Sequence, residues 1–160
     1  MKRGLLIAGM LFFYCAVALA QNSEGDKITG RWISEKKNLV VEVYKYGREY
    51  KGRIVWFSDL DRPNYPEKMF TDYKNPDTTL RKRKLIGMDV LRDLVYNKNT
   101  GCWEDGLVYD CRSGKEWNSC LRLSKDGILY LTGYWHLKFI GKTATFQRAN
   151  LNQALTSLSK

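Results

Sequence analysis

The chain has a single histidine, His136, in 160 residues, only three prolines, and after residue 19 no long apolar run. Each scarcity removes a class of function. With one histidine, any Ser-His-Asp or Cys-His site has to use His136, and no Gly-x-Ser-x-Gly elbow is present to hold a nucleophile. Cys102, Cys111, Cys120 and His136 are spaced nine, nine and sixteen residues apart, without the close ligand pairs of a structural zinc site. Asp59, Asp61 and Asn64 lack the glycine and distal glutamate of a calcium loop. No metal and no cofactor is therefore expected, and catalysis is not expected. No basic stripe interleaved with aromatic residues stands out, which argues against nucleic acid as a partner. A spanning helix needs roughly eighteen consecutive apolar residues, and the longest run falls short, so a membrane-spanning chain is not expected.

What is present begins with an export signal. Lys2 and Arg3 supply a charged start, residues 5–19 an apolar stretch, and Ala18 and Ala20 the small residues of a cleavage site, so residues 1–20 are expected to be removed and the mature chain to begin at Gln21. Cys15 sits inside the apolar stretch behind the bulky Phe12, Phe13 and Tyr14, which argues against lipid attachment. The product would be exported, periplasmic or extracellular, with one domain over residues 21–148 and a tail over 149–160. In that tail Leu151, Leu155 and Leu158 share a helical face, so a short helix is expected. Net charge is +10, and loss of Lys2 and Arg3 would leave +8. Such a surface favours anionic envelope lipid or glycan as a partner; plain solubility is the alternative reading.

Short runs rich in Val, Ile, Tyr, Trp and Thr recur between turn signals, the pattern of an all-β barrel or sandwich. Strands are expected at 28–34, 38–46, 50–57, 106–110, 115–123, 128–135 and 142–148, with a short piece at 102–104 leading into the fourth of these. Gly47, Arg112-Ser113-Gly114 and Asp126-Gly127 mark the tight connections. The segment 85–96 fits a helical and a strand period equally. Residues 58–84 form a long polar connection holding Pro63, Pro66 and Pro76, and such loops are usually functional or disordered.

Gly30-Arg31-Trp32 early in the chain and Arg148 near its end resemble the calycin signature of lipocalins and fatty-acid-binding proteins, in which a tryptophan closes one end of the barrel beneath an arginine. A planar cation on an indole face gains attraction while its donors reach nearby carbonyls. A broader likeness follows in order: Gly52-Arg53-Ile54-Val55-Trp56, Asp72-x-x-Asn75-Pro76-Asp77-x-x-Leu80-Arg81, Leu85-Ile86-Gly87, Trp103-x-x-Gly106-x-x-Tyr109-Asp110, Ser113-Gly114-Lys115 and Gly133-Tyr134. With Gly30-x-Trp32 these residues resemble domain-of-unknown-function family 2147 of exported bacterial proteins. Cys111, Phe146 and the tail beyond Arg148 depart from that pattern. The resemblance implies a closed or nearly closed, lipocalin-like antiparallel barrel of about eight strands, and it makes 85–96 a strand. It implies no activity.

Two constellations are candidates for binding. Asn75-Pro76-Asp77 reads first as a helix start, with Asn75 as N-cap and Pro76 at the first helical position. The functional reading joins Asp72, Asn75, Asp77 and Arg81 into a polar cluster at the barrel mouth. Tyr109, Asp110 and Lys115 flank a tight turn, and Lys115 beside them is placed to capture an anion. If Asp110 pairs with Lys115, Cys111 and Cys120 lie about 20 Å apart along the ladder. A bulge near Asp105-Gly106 would instead bring Cys102 to Cys120, leaving Cys111 free.

The favoured function is an exported envelope binding module for a small apolar or amphipathic ligand, with Trp56, Tyr130 and Tyr134 as interior-lining aromatics. A barrel filled by its own side chains, acting as an interaction or structural protein, is the second reading. An enzyme using the Asp72–Arg81 loop with Lys115 is the third.

Overall fold

Alternating β-branched and aromatic runs pair with their neighbours in chain order until the last meets the first. The computed structural model describes residues 24–59, 70–136 and 140–150. A short 3-10 helix, Glu24–Ile28, leads into β1 (Gly30–Ser34), β2 (Leu39–Tyr46), β3 (Glu49–Phe57), β4 (Asp89–Asn97), β5 (Cys102–Asp110), β6 (Lys115–Leu123), β7 (Leu129–Tyr134) and β8 (Gly141–Arg148). All neighbours are antiparallel, and β1 pairs with β8 to close the ring. The all-β closed barrel expected from the sequence is therefore present, and 85–96 contributes a strand. The export signal and the helix expected in the tail lie outside the described residues.

Consecutive connections alternate between the two ends of the ring. One end is shut. The Trp32 indole is 1% exposed and donates its Nε1 hydrogen to the Ile28 carbonyl at 2.7 Å. Trp103 donates likewise to Gly25 at 2.9 Å, and the Tyr50 hydroxyl reaches the Asp26 carboxylate at 2.7 Å. These three bonds hold the 3-10 helix across the barrel floor. Arg148, opposite Trp32 in the register, sets its guanidinium 4.1 Å from the indole centre and donates to the carbonyls of Thr29, at 2.5 Å, and Lys27. Gly30 has φ +114°, and a Cβ there would lie 2.8 Å from the Arg148 guanidinium, so the Gly-x-Trp glycine makes room for the arginine.

Bulges set which face each side chain takes. Val40 opposes Trp56 and Val41 opposes Ile54, so Val55 is an extra residue in β3. Beyond it the alternation reverses: Trp56 turns outward, and Phe57 occupies the interior place expected for it. Leu129 and Leu131 face inward on β7, which puts Tyr130 and Tyr134 on the outer face, Tyr130 beneath the Arg122 guanidinium. None of the expected interior aromatics thus lines the cavity, although Tyr134 is buried on its own face of the sheet. Asp93 and Asp105 take positive φ, 61° and 59°, at irregularities of β4 and β5, a conformation aspartate tolerates better than most residues. With Trp103 opposite Leu121, Cys102 is a diagonal neighbour of Cys120, roughly 7–8 Å away between Cα atoms. That exceeds disulfide reach, so the expected Cys102–Cys120 bridge is not formed, and Cys102 and Cys111 carry free thiols.

Replacing Arg148 by alanine removes the cover of Trp32 and leaves two carbonyls short of a donor. Arg148→Ala is expected to lower the unfolding free energy by about 1–3 kcal/mol in urea titration. Unchanged stability would contradict the role given to this contact.

Candidate functional site

Above the Trp32 floor the barrel is hollow. A cavity of about 490 Å³ runs from Trp32 to the opposite end, between Val41, Val43, Ile54, Leu91, Leu129 and Phe146. Its wall is largely aliphatic because the inward positions of successive strands carry Val, Ile and Leu. Polar groups appear only at the rim, where Lys36, Asn38, Asp59, Thr71, Asp110 and Arg112 ring the mouth. The size falls within the range of roughly 300–1,000 Å³ typical of small-molecule sites.

The long connection between β3 and β4 forms part of the roof. Its described portion folds back on itself through a bridge between Thr71 and Lys84, flanked by backbone bonds from Asp72 to Arg83 and from Leu85 to Phe70. Phe70 and Leu85 drop into the mouth, and Phe70 meets Phe57 edge to face at 5.1 Å. This flap is fixed to the barrel by Asp72, which is completely buried. Its carboxylate accepts from Asn75 at 2.7 Å, from Arg83 at 2.8 Å and from the Tyr109 hydroxyl at 2.7 Å. The first two bonds close the flap on itself, and the third reaches strand β5. A second anchor is backbone packing: a Cβ on Gly114 would lie 2.0 Å from the Lys74 carbonyl, so the β5–β6 turn and the flap touch only because residue 114 is glycine at φ +69°.

Two titrating groups record this burial. Removal from water, then the hydrogen bond to Asp72 and its charge, push the Tyr109 hydroxyl well above the ordinary tyrosine range, so it stays protonated and donates. Removal from water, then the Asp72 charge, push the Cys111 thiol up to about 12. Cys111 lines the cavity as a neutral, apolar group.

The sequence candidates separate into different jobs. Asp72, Asn75 and Tyr109 come together as one hydrogen-bonded unit, joined by Arg83, which the sequence did not single out. Asn75 is not a helix cap: it accepts from the Asp77 amide at 2.9 Å, and Asp77 caps the single 3-10 turn Thr78–Leu80, accepting from Thr79 at 2.9 Å. Those bonds with Thr79 hold the Asp77 carboxyl below its usual range. Arg81 donates to the Asn75 carbonyl at 2.8 Å, so it braces the flap from outside. Asp110 pairs with Lys115 in register, as the turn chemistry implies, and its carboxylate accepts from Arg112 and Ser113 within the turn. Lys115 lies apart from the cavity, in an open surface recess beside Glu116, Trp117 and Trp135. Asp61 and Asn64 lie outside the described residues.

A closed eight-stranded antiparallel barrel, floored at one end and hollow toward the other, is a lipocalin-like barrel. The chain belongs to the bacterial family described as "Uncharacterized protein conserved in bacteria (DUF2147)", which matches residues 30–148. Among solved structures, protein HP1028 from the human pathogen Helicobacter pylori, described as belonging to the lipocalin family, aligns with a TM-score of 0.66 and 21% identity. The alignment covers 81% of this chain and 88% of that one, and at this identity it speaks for the fold. No curated protein matches the chain.

Because Asp72 holds flap to barrel, its loss should free the flap and expose Cys111. Asp72→Ala is expected to cost about 2–3 kcal/mol of stability. It should also speed labelling of Cys111 by iodoacetamide at neutral pH, since both the burial and the negative charge that raise the thiol are reduced. Unchanged Cys111 labelling in the variant, read by peptide mass mapping, would contradict the latch.

Proposed function

We propose that this protein is an exported binding module of the cell envelope, whose barrel holds one small apolar or amphipathic molecule with its tail on the Trp32 floor and its polar end at the rim. The observation that carries the reading is the cavity itself. An aliphatic space that runs to a rim bearing Lys36 and Arg112 suits a ligand with an apolar body and a polar head. A barrel filled by its own side chains would lack that space, so the cavity weighs against the structural reading.

Binding without catalysis also fits the polar groups better. Asp72, the carboxylate that an enzyme reading needs, is committed to Asn75, Arg83 and Tyr109, while Lys115 lies in a different recess. Asp72 and Lys115 therefore do not converge beside one cleft, the geometry that general acid–base chemistry with this pair would require. Export rests on the pattern of residues 1–20, and an anionic envelope component as partner rests on the net charge, +10 for the whole chain and +8 without Lys2 and Arg3.

Titration with a dansyl-labelled undecanoic acid tests the proposal. The mature protein is expected to take up one probe per chain with a blue-shifted emission. Ala144→Trp and Leu131→Phe, which add bulk to the cavity wall, should weaken uptake at least tenfold while the circular dichroism spectrum is kept. A wild-type protein that leaves the probe in water, or filled variants that bind it equally well, would overturn the reading.

A further inference from the structure

We propose that the open end of the barrel docks on an anionic lipid bilayer, so that the cavity mouth faces the membrane. This rests on the binding-module reading and names the surface from which that cavity is loaded. Two observations at that end carry it: unpaired positive charge and exposed apolar side chains.

The charge is unevenly compensated. Near the floor, Lys27 pairs with Glu24 and Lys45 with Asp26; on the wall, Arg31 and Arg53 pair with Glu42, and Arg92 with Glu116. At the open end, Arg83 with Asp72 is the single ion pair among the described residues. Lys36, Lys37, Lys82, Lys84, Arg112 and Lys115 are exposed there and have no ion-pair partner among the described residues. The acidic groups beside them, Asp59, Asp77, Asp110 and Glu35, are outnumbered by these six cations; Asp77 accepts from Thr79, Asp110 from Ser113 and Arg112, and Glu35 from Thr145. An anionic surface is the complement of such a rim, each lysine or arginine near it contributing roughly a factor of five in partition.

The apolar groups fit a bilayer better than a soluble polyanion. Trp135 and Ile140, on the β7–β8 connection, are 59% and 68% exposed, and Tyr73 on the flap is 59% exposed. Trp135 is propped at the rim by Trp117, edge to face at 5.6 Å, and its carbonyl accepts from Asn118 at 2.8 Å. Tryptophan and tyrosine settle at the headgroup level of a bilayer, and an aliphatic tip inserts below it, whereas an acidic polymer has no use for Ile140. Tyr46 is exposed at the floor end as well, but the Lys51 ammonium lies on its ring at 3.9 Å, Lys45 pairs with Asp26, and Arg48 in the adjoining turn is followed directly by Glu49.

Co-sedimentation of the mature protein with vesicles of phosphatidylglycerol and phosphatidylcholine tests this. Wild type is expected to bind, and to lose binding as salt rises. The triple variant Lys82→Gln, Lys84→Gln, Lys115→Gln should partition roughly a hundredfold less. Trp135→Ser with Ile140→Ser should partition at least tenfold less. Arg48→Gln, Lys98→Gln and Lys125→Gln, around the floor, should bind as wild type does. Absence of wild-type binding to these vesicles overturns the proposal, as do floor variants that weaken it equally. Stronger binding to a soluble acidic polysaccharide, unaffected by the Trp135 and Ile140 changes, also overturns it and assigns the rim to a glycan. None of the rim residues altered lines the cavity, so uptake of the dansyl probe without vesicles separates the two claims. Uptake kept while vesicle binding fails removes the docking and leaves the cavity reading; vesicle binding kept while uptake fails does the reverse.

Discussion

Everything above the floor of this barrel depends on one indole. Trp32 fills the narrow end, and because Arg148 covers it while the Glu24–Ile28 turn accepts its hydrogen bond, that end is closed, with Trp103 and Tyr50 bonded to the same turn. An eight-stranded ring is just wide enough to be filled by side chains or to hold one small guest. Trp103 and Tyr50 stand beside Trp32 at the floor, while the inward wall positions above it are largely Val, Ile, Leu and Ala, with Phe146 on the wall and Phe57 and Phe70 at the mouth. The hollow is thus a consequence of where the bulk was placed.

The mouth is organised on a contrasting principle. Where the floor relies on apolar burial, the roof relies on one buried carboxylate shared by three donors from two parts of the chain. A charge taken out of water is tolerable only when its acceptor sites are filled, and here all three donors are present. The flap therefore stays on the barrel by directional bonds, with a thin apolar contact through Phe70, Phe57 and Leu85 beneath.

Much of this was legible in the sequence, and what was not has identifiable causes. Strand positions followed from alternation and turn residues, and the placement of Trp32 and Arg148 in one calycin-like signature anticipated their stacking. The pairing of Asp110 with Lys115 followed from turn chemistry alone. Faces were harder. One extra residue at Val55 reverses the alternation in β3, so Trp56 and Phe57 exchange sides, and no local pattern announces the bulge. Asp93 and Asp105 mark two others, but only their positive φ reveals it. Asp72 and Tyr109 were each visible as candidates in separate groups; their contact spans 37 residues, a distance that composition and period do not bridge. Arg83, one of several cations in a basic run, carried no signal that set it apart.

The central claim is that the space above Trp32 accepts a guest. Crystals of the mature protein grown with a terminally brominated fatty acid would test it directly, through the anomalous signal of bromine. The account predicts a bromine peak inside the barrel, against Trp32 and Val43, with the carboxylate at the Lys36 and Arg112 rim. Bromine found only on the outer surface, with the interior closed over by Phe57, Phe70 and Phe146, would contradict it.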